Sequence, residues 1–153
     1  YEIAQCLVGS EMCIRDRITA MQNDASKFNA ELPQADRVLC DVPCSGLGVI
    51  RRKPEIKFKS PSDFDGLPEI QYQILETSAR YVKPGGTLVY STCTLSRAEN
   101  DEVAKRFAAA HPEFLPIVQP VPYAGAAGDP TRTYCPDENG GDGFFTASFR
   151  RVK

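Results

Sequence analysis

The segment KPGGTLVYST at residues 83–92 decides the fold. Its last six residues are rich in β-branched and aromatic side chains and follow two glycines, which is typical of a short buried strand. The run ADRVLCDV at residues 35–42 carries a second compact apolar stretch. Between these strands, apolar residues, Ile70 among them, recur on one face of a predicted helix from Pro68 to about Val82. A strand, a helix and a strand in this order predict a right-handed βαβ unit with parallel strands.

Similar patterns on either side of this unit extend the alternation and predict an α/β fold. They place strands over residues 18–22, 114–118 and 143–152 and a helix from Arg97 to about Ala110. Ser96 is a candidate N-cap for that helix, with Glu99 completing a capping box. Residues 120–143 are rich in glycine, proline and aspartate and are predicted to form a long loop. Since no helix is predicted between the last two strands, they can pair antiparallel.

The composition excludes several classes of protein. With 153 residues, 42% of them hydrophobic and 25% charged, the chain has the profile of one globular domain. A net charge of −2 excludes a uniformly basic surface for nucleic acid but leaves room for a local basic patch. No apolar run approaches the roughly 20 residues of a membrane helix. Six cysteines at irregular spacings, with no secretory leader, indicate reduced thiols in a cytoplasmic protein.

The first 17 residues are expected to lie outside the fold. The chain begins with Tyr1 rather than Met, and EMCIRD at residues 11–16 resembles the translation of a sequencing-library adapter. We therefore expect residues 1–17 to be a non-native leader and residues 18–153 to be the meaningful part of a larger domain. Two of the six cysteines fall within this leader, which leaves four to account for.

Reactive and acidic side chains follow three of the predicted strands. They are Asp24, then Asp41 with Cys44, then Cys93. The carboxyl ends of parallel strands form the edge at which open α/β sheets bind ligands, so these groups are expected to converge. Cys40 lies inside its strand and is predicted to be a buried packing residue. The spacing of Cys40 and Cys44 does not match a metal-binding pair, and no metal site is predicted.

Three motifs, in this order, resemble the RNA cytosine-5 methyltransferases of the Sun/Fmu type, and most closely the members that act on bacterial 16S ribosomal RNA. They are DVPCSGLGVIRRKPEIKF at residues 41–58, KPGGTLVYSTCTLSRAEN at residues 83–100 and GDGFF at residues 141–145. The resemblance implies a Rossmann-like, S-adenosylmethionine-dependent fold whose last strand is antiparallel. Residues 18–153 would be the C-terminal part of that catalytic domain. It also implies 16S ribosomal RNA as the partner, no membrane association, and a monomer at full length.

The resemblance also implies a role for individual residues. Cys93 would be the nucleophile that adds to carbon 6 of the cytosine, and Cys44 the second cysteine, which helps to release the product. Asp41 would contact the target base and, with Pro43, the cofactor. Asp24 matches the acidic position near the adenine of S-adenosylmethionine. The glycine-rich cofactor loop of the family is not found in residues 1–17, so this chain is expected to bind the cofactor poorly and to be inactive alone.

A basic run follows the Cys44 turn and is predicted to contact RNA phosphates, which position RNA without reading its sequence. The run comprises Arg51, Arg52, Lys53, Lys57 and Lys59, with only Glu55 opposing it.

Three alternative interpretations remain open on the sequence. DNA cytosine methyltransferases use the cysteine of the Pro-Cys motif, and on that pattern Cys44 would attack while Cys93 would be a packing residue. An RNA-binding module without catalysis would keep the basic run and need no reactive Cys93. A thiol redox protein would require the two thiols to lie close enough to form a disulfide.

Overall fold

The structure is a computed structural model that describes residues 19–118 and 130–153, with the side chains of residues 138 and 139 outside the description. The strands are β1 Ala35–Asp41, β2 Val82–Thr92, β3 Phe114–Pro116, β4 Thr131–Tyr134 and β5 Phe144–Arg151. The helices are α1 Leu67–Ala79, α2 Asp101–Ala110 and the short α3 Pro136–Asn139. Short 3-10 turns cover Leu47–Val49, Pro54–Phe58 and Pro61–Phe64.

The five strands form one mixed sheet in which β1 and β2 are parallel. Asp41 at the end of β1 pairs with Ser91 near the end of β2, so the two strands finish at the same edge. β5 runs antiparallel to β2, and β3 and β4 each pair antiparallel with β5. The prediction of a βαβ unit followed by an antiparallel last strand is therefore confirmed.

The core lies between the sheet and the two long helices, as the alternation along β2 shows. Leu88, Tyr90 and Thr92 are fully buried, whereas the intervening residues of the strand are half-buried. Phe107 of α2 is also fully buried and packs edge-to-face on Phe149 of β5, with ring centroids 5.0 Å apart. Burial of each large side chain contributes about 1.5–3 kcal/mol, and these contacts fix both helices on the sheet.

Helix α1 differs from its prediction at its end and on its buried face. It stops at Ala79, before the predicted end, because Val82 belongs to β2 and pairs with Ala35. Ile70, predicted on the apolar face, is 45% exposed, whereas Gln71 is completely buried. A buried amide must be hydrogen-bonded, and its partners belong to the site described below.

Helix α2 also differs from its prediction, because it begins at Asp101 and not at Arg97. The predicted capping box of Ser96 and Glu99 is wrong: the N-cap is Asn100, and the Glu99 carboxylate bonds to residues of other elements. Glu99, which the sequence pattern predicted at an exposed helix start, is therefore a buried carboxylate with only 2% of its surface exposed.

The remaining differences concern the two ends of the chain. Residues 19–22 form no strand, because no neighbouring strand in the described residues pairs with them; Ile18 lies outside the description. The predicted loop over residues 120–143 contains β4 and α3 in its described part. Residues 119–129 lie outside the described residues. No helix in residues 19–118 or 130–153 is long and apolar enough to cross a membrane.

Candidate active site

The two cysteine motifs lie side by side at the carboxyl edge of β1 and β2. Cys44 follows β1 and Cys93 follows β2, and their Sγ atoms are 3.2 Å apart. The backbone N–H of Cys93 also donates to Cys44 Sγ at 3.3 Å. Both residues are free thiols and half-buried. The two sulfurs therefore lie together at the edge of the sheet where α/β proteins bind ligands, and both are partly accessible.

Asp41 occupies the same edge and is exposed. Ser91 Oγ donates to Asp41 Oδ1 at 2.8 Å, and the described residues supply no partner for Oδ2. Pro43 is exposed next to it, and its carbonyl accepts from Gln71 Nε2 at 2.9 Å. Asp41, Cys44 and Cys93 therefore lie at one edge of the sheet, as the sequence predicted, and Pro43 lies there with them.

Asp24 forms no hydrogen bond or ion pair with this group within the described residues. It lies in an exposed turn, where its carboxylate accepts from the Ser26 hydroxyl at 2.6 Å and pairs with Lys27 at 2.9 Å. The hydrogen bonds from Ser26, then those from Lys27, lower the pKa of Asp24 to about 2. The acid is consequently ionised at neutral pH, but it does not follow a strand as predicted.

Two glycines allow the loops of the three sequence motifs to interlock. Gly48 N–H donates to the carbonyl of Cys93 at 3.0 Å, and Gly143 N–H donates to the carbonyl of Gly48 at 2.8 Å. A Cβ on Gly48 would lie 2.1 Å from the Gly143 carbonyl oxygen, so no other residue fits there without backbone movement. The backbone thus joins the motif around Cys44 to the motif around Cys93 and to the GDGFF segment.

The basic run is anchored by a buried acid that the sequence did not single out. Asp142 has an 8% exposed side chain and pairs with Arg52 at 2.5 Å and with Arg51 at 3.6 Å. Arg51 also donates to the carbonyls of Gly140 and Gly141. Both arginines keep most of their side chains exposed, 65% and 71%, and Lys53 is exposed as well. The ion pairs therefore hold the run against the GDGFF segment.

Buried polar side chains next to the two cysteines form a hydrogen-bond network that the sequence did not predict. It consists of Ser45, Gln71, Thr94, Glu99 and Asn100, all 3% exposed or less. Ser45 and Thr94 are visible from the sequence because each directly follows a cysteine. Gln71 carries no such signal, since an amide within a helix is ordinarily exposed.

The environments of the cysteines separate Cys40 from the pair. Cys40 is 2% exposed inside β1, and burial raises its pKa to about 11, which confirms the prediction of a buried packing residue. Burial also raises the pKa of Cys44 well above the ordinary thiol value, and its hydrogen bond with Cys93 adds to this effect. Cys44 is therefore protonated at neutral pH.

Comparison with known proteins assigns the chain to a family. Residues 9–150 match the family described as 16S rRNA methyltransferase RsmB/F. The chain belongs to this family. The match begins inside the stretch expected to be a non-native leader, and the boundary at residue 17 stays a prediction.

Two curated relatives illustrate how much of the family's length the chain spans. A probable ribosomal RNA small subunit methyltransferase B from Bacillus subtilis is 48% identical over 127 residues, which is 79% of this chain and 28% of that relative. A ribosomal RNA small subunit methyltransferase F from Salmonella agona is 40% identical over 136 residues, which is 84% of this chain and 28% of the relative. The chain therefore spans less than a third of each of these RsmB/F relatives.

A solved structure shares the fold. NSun6 from Pyrococcus horikoshii, solved with SFG, superposes with a TM-score of 0.72 at 30% identity. The likeness covers 87% of this chain and 34% of that structure. The mixed sheet with its antiparallel last strand is thus part of a Rossmann-like methyltransferase domain, as the sequence predicted.

The raised pKa of Cys44 predicts slow alkylation of this thiol in the folded chain. Thiolates react with iodoacetamide and thiols do not, so its labelling rate should still be rising above pH 9. In the urea-unfolded chain, the rate for the same peptide should level off near the ordinary thiol pKa of about 8.5. Peptide mass spectrometry over a pH series measures both profiles, and a folded-state profile that also levels off near pH 8.5 would contradict the assignment.

Proposed function

We propose that this chain is the part of an RsmB/F enzyme that carries the chemistry of cytosine-5 methylation in 16S ribosomal RNA, with S-adenosylmethionine as methyl donor. The observation that carries the proposal is the 3.2 Å separation of the Cys44 and Cys93 sulfurs at the ligand-binding edge of the sheet. The relatives support ribosomal RNA as the substrate through their names. Because the chain spans under a third of these relatives, the activity of the whole protein is part of the proposal.

Cytosine chemistry explains why a thiolate is needed. Carbon 5 of cytosine is too weak a nucleophile to accept a methyl group unaided. Addition of the Cys93 thiolate to carbon 6 breaks the C5–C6 π bond and, with protonation of N3, leaves an enamine across carbons 4 and 5, whose electron pair makes carbon 5 nucleophilic. Asp41 hydrogen-bonds the N3/N4 edge of the base and favours its protonation as the thiolate adds.

The environment of Cys44 supports Cys93 as the nucleophile. Burial and the neighbouring sulfur raise the pKa of Cys44, so this residue stays a thiol and keeps an S–H group that can donate. At a sulfur-to-sulfur distance of 3.2 Å, the Cys44 S–H can donate to the Cys93 sulfur and stabilise its negative charge. The DNA-type alternative would require Cys44 to ionise, and burial of this thiol, which raises its pKa, disfavours that.

Cys44 also acts at product release. After methyl transfer, carbon 5 still carries its proton, which a base must remove. The electrons of that C–H bond restore the C5–C6 double bond, and the electrons of the C6–S bond return to Cys93. Cys44 lies next to the departing sulfur and can donate a hydrogen bond to it as it regains its charge.

The residues at the sheet edge fit a cationic methyl donor. Asp41 presents an exposed carboxylate whose Oδ2 has no partner in the described part of the chain, and such an anion suits a sulfonium or an amino group. Asp41 and Pro43 at this edge would hold S-adenosylmethionine, and the resemblance alone implies Asp24 near its adenine. When bound, the cofactor supplies an electrophilic methyl group.

A thiol redox function is the second candidate, because the two sulfurs are close enough for a disulfide to form with a small movement. The basic run next to the thiols favours the RNA enzyme, since a redox pair has no use for it.

Substitution of each cysteine should distinguish their roles. In the full-length enzyme that contains this chain, incubated with 16S ribosomal RNA and S-adenosylmethionine, Cys44→Ala should accumulate a covalent protein–RNA adduct because release is impaired. Cys93→Ala should form none. Denaturing gel electrophoresis with labelled RNA measures the adduct, and Cys40→Ala is the matched control that leaves the site thiols in place. Interchanged outcomes would overturn the assignment of roles, and no adduct with any variant would count against the function.

We further propose that the basic run contacts RNA phosphates through Arg51, Arg52 and Lys53. The two arginines are oriented by Asp142 and remain largely exposed. Lys53 and Lys57 are exposed and form no ion pair within the described residues. They provide the cleaner test, because removal of either charge leaves the Asp142 contacts intact.

Removal of these lysine charges should change the salt dependence of RNA binding. The double variant Lys53→Gln/Lys57→Gln should bind RNA more weakly and lower the slope of log K against log salt by about one for each lost phosphate contact. The double variant Lys105→Gln/Lys153→Gln makes the same charge change at two exposed lysines that form no ion pair within the described residues, and it should keep the original slope. Fluorescence anisotropy at several salt concentrations measures this, and equal slopes in both variants would refute the contact.

A further inference from the structure

A buried carboxylate links the two cysteine motifs. Glu99 is 2% exposed, and its partners in the described residues are all uncharged donors. It accepts from the backbone N–H of Ser45 at 2.9 Å, from Ser45 Oγ at 2.6 Å and from Gln71 Nε2 at 2.9 Å. Burial of a carboxylate is costly unless donors replace its hydration, and here two N–H groups and a hydroxyl do so.

The direction of the hydrogen bonds follows from the single proton of the Ser45 hydroxyl. Ser45 Oγ donates this proton to Glu99 Oε1, so it has none left to donate elsewhere. Ser45 Oγ also lies 2.7 Å from Thr94 Oγ1, and Thr94 must therefore be the donor in that bond. A chain of hydrogen bonds therefore runs from Thr94 through Ser45 to Glu99. It connects the residue after Cys93 to the residue after Cys44.

Both cysteines are held by the residues on either side of them. Gln71 Nε2 bonds the Pro43 carbonyl as well as Glu99, so both chain neighbours of Cys44 are fixed. On the other strand, Asn100 Oδ1 accepts from Thr92 Oγ1 at 2.6 Å. Asn100 Nδ2 donates to the Thr94 carbonyl at 2.9 Å, which fixes both neighbours of Cys93.

We infer that Glu99 is a positioning residue that sets the separation of the Cys44 and Cys93 sulfurs. The catalytic use of the two thiols rests on the proposed function, whereas the positioning of their sulfurs by Glu99 does not. A carboxylate that only filled this buried space would be less stabilising than an apolar side chain of similar volume, because its burial removes it from water. Two of its three donors belong to Ser45, which follows Cys44, and the third belongs to Gln71, which also bonds the Pro43 carbonyl. The hydrogen bonds of Glu99 therefore hold the loop that carries Cys44.

The separation can be measured through disulfide formation, without RNA or cofactor. Oxidised glutathione reacts with Cys93 to give a mixed disulfide and one reduced glutathione. Attack of Cys44 on that mixed disulfide then forms the Cys44–Cys93 bond and releases the second reduced glutathione. Quenched-flow peptide mass spectrometry gives the rate of this second, intramolecular step, which depends on the approach of the two sulfurs.

Glu99→Gln keeps the shape of the side chain but turns one acceptor into a donor that faces other donors. We expect formation of the Cys44–Cys93 disulfide from the mixed disulfide, the ring-closure step, to slow by about tenfold to a hundredfold, because a small displacement of two reacting groups lowers their reaction rate by this much. Glu102→Gln, on the exposed side of α2, is the matched control and should close at the original rate. A purely structural role would lower the thermal unfolding midpoint and leave the closure rate of the folded chain unchanged.

Ser45→Ala provides a second variant, which keeps two of the Glu99 donors and so tests the proposal if Glu99→Gln does not fold. It should also slow ring closure by several-fold. Closure at the control rate in the folded variants overturns the positioning role of Glu99. Because the assay contains no RNA, that result would leave the methyltransferase proposal standing. If no cysteine variant forms an adduct in the RNA assay while Glu99→Gln slows disulfide formation, the proposed function is overturned and the positioning role of Glu99 stands.

Discussion

The parallel pairing of β1 with β2 is the constraint on which the site depends. With Asp41 opposite Ser91, the two strands end together, and the residues that follow them must share one edge of the sheet. The helix between the strands makes this pairing possible, because parallel strands require a crossover. Cys44 and Cys93 are 49 positions apart in sequence and yet 3.2 Å apart at their sulfurs.

Strand pairing brings the loops together, but hydrogen bonds from buried side chains fix their relative positions. Glu99 and Asn100 stand at the start of α2 and bond the residues that flank the two cysteines. Gly48 and Gly143 allow the loop backbones to approach more closely than any side chain permits. The start of one helix therefore serves both as a helix terminus and as the support of a two-thiol site.

Much of this arrangement was predictable because it depends on local patterns. The βαβ unit follows from apolar periodicity, and the convergence of Asp41, Cys44 and Cys93 follows from the rule that parallel strands share their carboxyl edge. Glu99 was misassigned because its spacing from Ser96 is also that of a capping box, and only tertiary neighbours distinguish the two uses. Gln71 was missed for a similar reason, since its burial depends on the loop packed against it. The predicted first strand failed because a short apolar run needs a partner strand, and the described residues provide none.

The most direct test of the central claim is to identify which sulfur bonds to the base. In RNA that carries 5-azacytidine, the nitrogen at position 5 makes carbon 6 more electrophilic than in cytosine, so the attacking thiolate adds readily and its adduct can be isolated. After incubation of the chain with such a 16S RNA fragment, protease and nuclease digestion followed by mass spectrometry locates the modified peptide. The account predicts a nucleotide attached to Cys93, and a nucleotide attached to Cys44 would contradict it.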